Sequence, residues 1–409
     1  FGIHTGVVGH GGTAADIRIE GPSRPFSMSQ AFWPLPMVLK RMGFYTVSIS
    51  SFAERHAAWW FDAGWRETYN PGKGGMERAD EVAPIALEWI KHNARRDNWF
   101  LHIHFWDPHT PYRTPSEYGN PFQDDPPPDW MSQEILEEHW AGYGPHSARE
   151  REIATLDDFK RWIDGYDVGI RYMDDHIGQI LDALAHEGVL DDLVVVVSAD
   201  HGENQGELNV YGDHGTADHL TSRVPLIVRW PGLLQPRVDQ ALHYQTDFAA
   251  TLVDLISGQI PERWDGESFA DALRAGEEQG RASLILSMCV MTCQRAVRWG
   301  PWIMIRTYHD GYNDLPPFML FNVERDPHEL HNLADLEPQI TDHGVRLLEE
   351  WHTQMMYTSS SDIDPLWTVM REGGPYGVRG RLKSYCQRLR ETGRSHHAEA
   401  LEARHRAGR

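Results

Sequence analysis

An α/β fold, with a mixed and mostly parallel sheet sandwiched by helices and a smaller C-terminal antiparallel β-sheet subdomain, is predicted by three features of the sequence. Strand-like apolar runs alternate with amphipathic helical stripes from about residue 37 to residue 255. One of those runs, Leu193–Val197, is apolar at every position, the pattern of a parallel strand buried on both faces. Beyond about residue 285 the strand-like runs become short and closely spaced, which signals antiparallel pairing.

Residues 1–25 read as a glycine-rich loop closed by Pro22 and Pro25. A short helix over Met37–Met42 leads into a strand at Tyr45–Ile49, where Thr46, Val47 and Ile49 are β-branched. Val82, Ile85, Trp89 and Ile90 recur at helical spacing and precede a strand, Trp99–Phe105, that carries His102 and His104. Residues 107–150, with Pro126-Pro127-Pro128 and acidic clusters, read as a long surface excursion. A helical stripe then runs through Ile163, Tyr166, Ile170, Met173, Ile177, Leu181 and Leu184. Val224–Trp230 is a further strand, and Thr246-Asp247 is placed to cap a helix through Leu255. Leu284–Met291, Gln294–Arg298, Trp302–Arg306 and Met319–Asn322 supply the antiparallel strands. The expected units are a catalytic α/β domain over 1–283, an antiparallel subdomain over 284–356 and a basic helical or irregular tail over 357–409.

The composition narrows the function classes. The chain has 409 residues with 38 Lys+Arg against 60 Asp+Glu, a formal charge of −22. Sequence-independent phosphate binding needs a basic surface, so nucleic acid is excluded as a partner. No apolar run approaches the ~20 residues of a membrane span. The three cysteines, Cys289, Cys293 and Cys386, make no disulfide framework, read as structural thiols, and lean toward a reducing cytoplasm. The charge is uneven: from Arg371 onward there are ten Lys/Arg against four Glu.

Four segments put polar chemistry at strand ends, where open α/β sheets gather ligands. Val194–Val197 runs into Ser198-Ala199-Asp200-His201-Gly202, which sets a carboxylate and an imidazole at a strand tip. That pair suits a divalent metal, or Asp200 caps the next turn. In Trp106-Asp107-Pro108-His109-Thr110-Pro111-Tyr112 two prolines restrict His109, which either faces a reacting group or packs on Trp106. His214 and His219 lie in a glycine-containing loop, where metal, anion and solvent are all open as partners. The opening loop carries His4 and His10.

Taken in order, these segments resemble the sulfatase family of the alkaline-phosphatase superfamily. The carriers are Phe1–Gly12, Gly43-Phe44-Tyr45-Thr46, Trp106–His109, Asp175-His176-Ile177-Gly178, Ser198–Glu203, Arg223–Gly232 and Leu320–Leu333, across about residues 1–350. The resemblance implies an alkaline-phosphatase-like fold and hydrolysis of a sulfate monoester. In that family a Cys or Ser is converted to formylglycine, whose gem-diol attacks sulfur, and a divalent cation offsets the developing charge. The cation implied is calcium, with manganese or magnesium as alternatives. Asp200 and His201 fall on the metal-binding pair, His109 on the sulfate-side histidine, and His214 where many relatives place a lysine. His10 falls where relatives have a polar substrate contact.

Two departures stand out. Where relatives carry Gly-Lys-x-His, this chain has Ser50-Ser51-Phe52-Ala53, then Glu54-Arg55-His56. His56 or Arg55 supplies the cation there, with His56 favoured, or else His56 packs near Trp59-Trp60. The Cys/Ser-x-Pro-x-Arg nucleophile signature and the strand bearing a metal-binding Asp pair have no counterpart. Glu20-Gly21-Pro22-Ser23-Arg24 lies after the opening loop, and Asp174-Asp175 reads as a solvated helix face. The expectation is that formylglycine lies upstream of Phe1 and that the 409-residue polypeptide alone is unstable and inactive. The substrate implied is a small-molecule or glycan sulfate ester, with Trp59, Trp60, Trp130, Trp140 and Tyr143 as candidate sugar-stacking surfaces. The alternatives are a phosphonate monoester or phosphodiester hydrolase, and a non-catalytic relative that binds sulfated glycan.

Overall fold

The computed structural model describes residues 2–5, 34–56, 58–142, 153–359 and 362–406. His10, Glu20–Arg24 and Tyr143 lie outside the described residues, as do the side chains of Trp59 and Trp60. After one helical turn, α1 (Gly2–Thr5), the chain continues with α2 (Leu35–Arg41), which covers the expected 37–42 helix. The β-branched run then forms β1 (Tyr45–Ile49) with the expected bounds. It is flanked in parallel by β2 (Glu67–Tyr69) and β3 (Trp99–Ile103), in the order β2-β1-β3. Ile49 stands opposite Ile103, so these two strands deliver their carboxyl ends to one edge of the sheet.

Two helices bury that sheet. Between β1 and β2 comes the short α3 (Phe52–His56), and α4 (Ala79–Asn93) follows β2. Val82, Ala83, Ala86, Trp89 and Ile90 of α4 pack with Val47 and Ile49. A helix, α5 (Gln133–Ala141), interrupts the excursion that reads from sequence as irregular. The long stripe becomes α6 (Leu156–His186), 31 residues begun by a Thr155/Asp158 capping box, with Ile180 and Leu184 in the same core.

The apolar run at 193–197 differs from expectation. It forms β4 (Val195–Ser198), which pairs antiparallel with β7 (Leu226–Arg229). Among the described residues this pair shares no ladder with β2-β1-β3, so its faces stay partly open, with Ile227 63% and Val196 40% exposed. Between them lie β5 (Asn204–Gln205), β6 (Tyr211–Asp213) and α7 (His219–Ser222). The next helix, α8 (Gln245–Ser257), is capped otherwise than expected: Asp247 sits in its first turn, accepts the Tyr244 amide and binds Arg281.

After α9 (Ala270–Ala275), the antiparallel sheet consists of β8 (Leu284–Met288), β9 (Cys293–Trp299), β10 (Trp302–His309) and β11 (Phe318–Asn322), in the order β11-β10-β9-β8. One face, with Val297, Met304 and Leu320, packs on α10 (Pro338–Thr358) through Leu348. The other, with Ala296, Ile303 and Phe321, meets Ala217 just beyond β6.

The tail folds into α11 (Pro365–Arg371), α12 (Leu382–Glu391) and α13 (Ser395–Arg406). Arg295 of β9 makes a buried bidentate pair with Asp364 at 2.6 and 2.7 Å, and Asp364 also caps α11. Arg394 and His397 donate to the carbonyls of Gly142 and Ala141, as suits cationic or donor side chains at a helix C-terminus. Among the described residues no helix is long and apolar enough to cross a membrane.

Breaking a buried ion pair strands a charge, so Asp364→Ala should lower unfolding free energy by about 3–5 kcal/mol in urea denaturation. A loss under about 1 kcal/mol would show that Arg295 finds water or another acceptor there.

Candidate active site

The site grows from the carboxyl edge of β1 and β3. His104, the first residue past β3, extends the ladder through its amide to the Ile49 carbonyl at 3.0 Å. Its Nδ1 meets the Ser50 hydroxyl at 3.0 Å. The chain then turns through Trp106 and the loop that presents His109. That loop lies flat on α6 because two glycines there leave room. A Cβ on Gly169 would stand 2.8 Å from Pro108 Cβ, and one on Gly165 would stand 2.7 Å from Tyr112 Cδ2.

His109 is fixed locally. Its Nδ1 donates to the Thr110 carbonyl at 2.5 Å, which leaves Nε2 as the nitrogen for a ligand. The Thr110 hydroxyl donates to the Gly212 carbonyl at 3.2 Å and ties this loop to β6, which leads directly into His214.

Asp200 and His201 follow β4. His201 Nδ1 donates to the Gly202 carbonyl at 2.8 Å, and its Nε2 stands 3.7 Å from Asp200 Oδ2. The turn needs Gly202, since a Cβ would lie 2.1 Å from the Leu220 carbonyl oxygen. The His214 ring stacks at 3.7 Å from that of His201, tilted by 31°. Its loop is braced by the antiparallel sheet: Thr292 donates to the Gly215 carbonyl, and Gln294 accepts the Ala217 amide.

Trp106 organises the His109 side. Its ring lies 4.6 Å from His104, 5.8 Å from His109 and 6.3 Å from His56, with the Arg55 guanidinium 5.0 Å above it. The indole N–H donates to Ser51 Oγ at 2.9 Å, and Ser51 donates to Glu77 at 2.9 Å. Glu77 is wholly buried and also accepts the amides of Lys73 and Gly75.

Burial governs the protonation states. It pushes His109 below the usual histidine range, and Arg55, Arg113 and His201 add to that against a hydrogen bond to Thr110. Burial, then His201, takes His214 down to about 4. His104 is likewise lowered by burial, with Asp200 acting the other way. These rings are therefore neutral at pH 7.

The structure thus brings together His109, His214, Asp200, His201 and His56. His10 lies outside the described residues. Both Arg55 and His56 reach the Trp106 side, and Arg55 acts on His109 electrostatically. His104 and Glu77 were not singled out from sequence; the position of His104 just past a parallel strand was the available signal. His4 instead pairs with Asp265 at 2.6 Å. Tyr112 donates to Glu203 at 2.7 Å. Trp130 stacks on His328 at 4.3 Å and Trp140 donates to the Ile153 carbonyl, so both serve packing.

As potential metal donors, Asp200 Oδ2 and His201 Nε2 have the right chemistry. Two donors on one ion, each about 2.0–2.6 Å from it, stand at roughly this separation. Among the described residues no group of three or more His, Cys, Asp or Glu is arranged to hold a metal.

A parallel sheet covered by helices and followed by a smaller antiparallel sheet, with imidazoles, a carboxylate and arginine gathered beyond the strand ends, agrees with the fold of the sulfatases. The chain belongs to the sulfatase family: the Sulfatase family model matches residues 21–258, and the model described as N-sulphoglucosamine sulphohydrolase, C-terminal, matches residues 212–356. Choline-sulfatase of Rhizobium meliloti (strain 1021) is 27% identical over 304 residues, covering 68% of this chain and 56% of the relative. The chain therefore spans little more than half of that relative's length. A phosphonate monoester hydrolase from Silicibacter pomeroyi superposes with a TM-score of 0.63 at 18% identity, covering 87% of this chain and 85% of the other. A protein solved in complex with its substrate D-glucosamine-2-N,6-O-disulfate gives 0.63 at 17% identity, covering 79% and 82%. At these identities the structural likeness is one of fold.

Histidines that fold neutral make stability depend on pH. His102, His139, His219 and His309 are each lowered by burial from 6.5 to about 4. Their contribution is complete above pH 6.5 and is lost as pH falls toward 4, by up to about 1.4 kcal/mol per pH unit for each proton taken up on unfolding. Asp107, raised by burial to about 6, works in the opposite direction. Thermal unfolding should therefore shift clearly downward between pH 7.5 and pH 5; an unchanged or higher melting temperature at pH 5 would contradict the burial of these rings.

Proposed function

We propose that this chain hydrolyses sulfate monoesters. The observation that carries the reading is the convergence of His109, His214 and the Asp200-His201 pair, with Arg55 beside them, from the ends of separate sheets. His109 Nε2 and the Arg55 guanidinium are donors suited to the non-reacting oxygens of a tetrahedral anion. His214 hydrogen-bonds the bridging oxygen on the leaving-group side. Bound sulfate offsets the burial that keeps this ring neutral and raises its proton affinity, so His214 can hand a proton to the departing alcohol.

Asp200 and His201 would hold a divalent cation, calcium in this reading, with manganese or magnesium as substitutes. Such a cation would supply charge compensation at the sulfate oxygens, and a formylglycine would supply the attacking oxygen. The substrate class is a small-molecule or glycan sulfate ester. A sulfated carbohydrate is supported by the fold shared with the glucosamine-disulfate complex.

A phosphonate monoester or phosphodiester reading rests on the histidine at position 201, whose nitrogen suits manganese beside Asp200. Side-by-side kinetics of the full-length gene product on 4-nitrophenyl sulfate and a phenyl phosphonate ester separate the two. The expected result is higher kcat/KM on the sulfate, with His109→Asn and Asp200→Asn each lowering it about 10²–10³-fold. A preference for the phosphonate would replace this reading with the second. Tight binding of a sulfated glycan without turnover would identify a non-catalytic binder.

A further inference from the structure

Trp106 is almost wholly buried, yet three imidazoles and one guanidinium converge on it from three different segments. Arg55 and His56 come from α3, His104 from the end of β3, and His109 from the loop beyond. An indole face is negative and attracts a cation at this range, and its flat area fixes the rings packed around it. The indole has little freedom of its own. Its N–H is held by Ser51, and Ser51 is held by Glu77, a carboxylate whose other hydrogen bonds come from backbone amides of residues 73 and 75.

We propose that Trp106 is a positioning residue for the anion site: its indole holds the Arg55 guanidinium and the His109 ring in the arrangement that receives a tetrahedral oxyanion. The inference rests on the sulfate-ester reading above for the nature of the anion. It assigns Trp106 an indirect role, with no contact to substrate. Arg55 contributes to anion binding only while it lies on the ring, because an unstacked arginine is a long, mobile side chain that must be ordered again on binding. The Ser51–Glu77 chain reaches the site through Trp106 and also through the loop it binds, whose Gly74 carbonyl accepts from the Arg55 guanidinium at 3.2 Å.

Dependence of one residue on another is measured by a double-mutant cycle. Inorganic sulfate affinity is determined by calorimetry for the full-length gene product, Arg55→Met, Trp106→Leu and the double variant, with melting temperatures recorded for each. Each single change should weaken binding by about tenfold. The double variant should lose no more than about the larger single effect, because either change already removes the stacked guanidinium. Losses that multiply, to about a hundredfold in the double variant, would overturn the proposal by showing that Arg55 binds without the ring. Trp106→Phe keeps a π-face and guards against unfolding of the leucine variant; it should recover part of the affinity, and no recovery in a folded protein would also count against the proposal. Failure of the unmodified protein to bind sulfate would strike the sulfate-ester reading itself, whereas normal binding with multiplicative losses would strike only the platform.

Discussion

Glu77 carries its carboxylate entirely out of water, and the fold offsets that desolvation with hydrogen bonds from the Lys73 and Gly75 amides and the Ser51 hydroxyl. Removing one partner of such a group would leave a buried charge under-satisfied, so the arrangement forms as a unit. It ties the loop after β2 to the carboxyl end of β1 and, through Ser51, to the indole of Trp106. His109, His104, His56 and Arg55 all pack around that ring. The parallel register of β1 and β3 is the second condition, because it delivers Ser51 and Trp106 to the same edge.

The opposite wall has another origin. His214 is held by contacts between its loop and the antiparallel sheet, through Thr292 and Gln294, and its ring rests on His201. The site is thus formed between two sheets, one supplying His109 and Arg55, the other bracing His214. A chain with a formal charge of −22 has no general attraction for a sulfate ester. Neutral, buried imidazoles with Arg55 and Arg113 close by make the local potential differ from the surface average.

Much of this was legible in the sequence. Tyr45–Ile49 declared itself by β-branching, and the stripe from Ile163 to Leu184 by helical spacing, because both patterns are local consequences of one buried face. Motif order and strand-end position single out Asp200, His201, His109 and His214, and the structure places these side chains near one another. Leu193–Val197 predicts a strand and the structure has one at Val195–Ser198, but an apolar run states only that a segment avoids water and not which neighbour pairs with it; β7 does so, antiparallel. Glu77 and the Arg295–Asp364 pair were out of reach for a different reason. Their partners are 26 and 69 residues away, and nothing in local composition distinguishes them from ordinary surface charges. His104 lay between these cases, visible in the strand pattern but given its role only by the register with Ile49.

The central claim, that one oxyanion site lies between the Trp106 side and the His201–His214 side, is tested most directly by an experimental structure of the full-length gene product with bound inorganic sulfate. Sulfate is expected within hydrogen-bonding distance of His109 Nε2 and the Arg55 guanidinium, with His214 on the far side of the anion and Trp106 still donating to Ser51. Sulfate bound elsewhere, or bound there with Arg55 turned away from Trp106 into solvent, would contradict it.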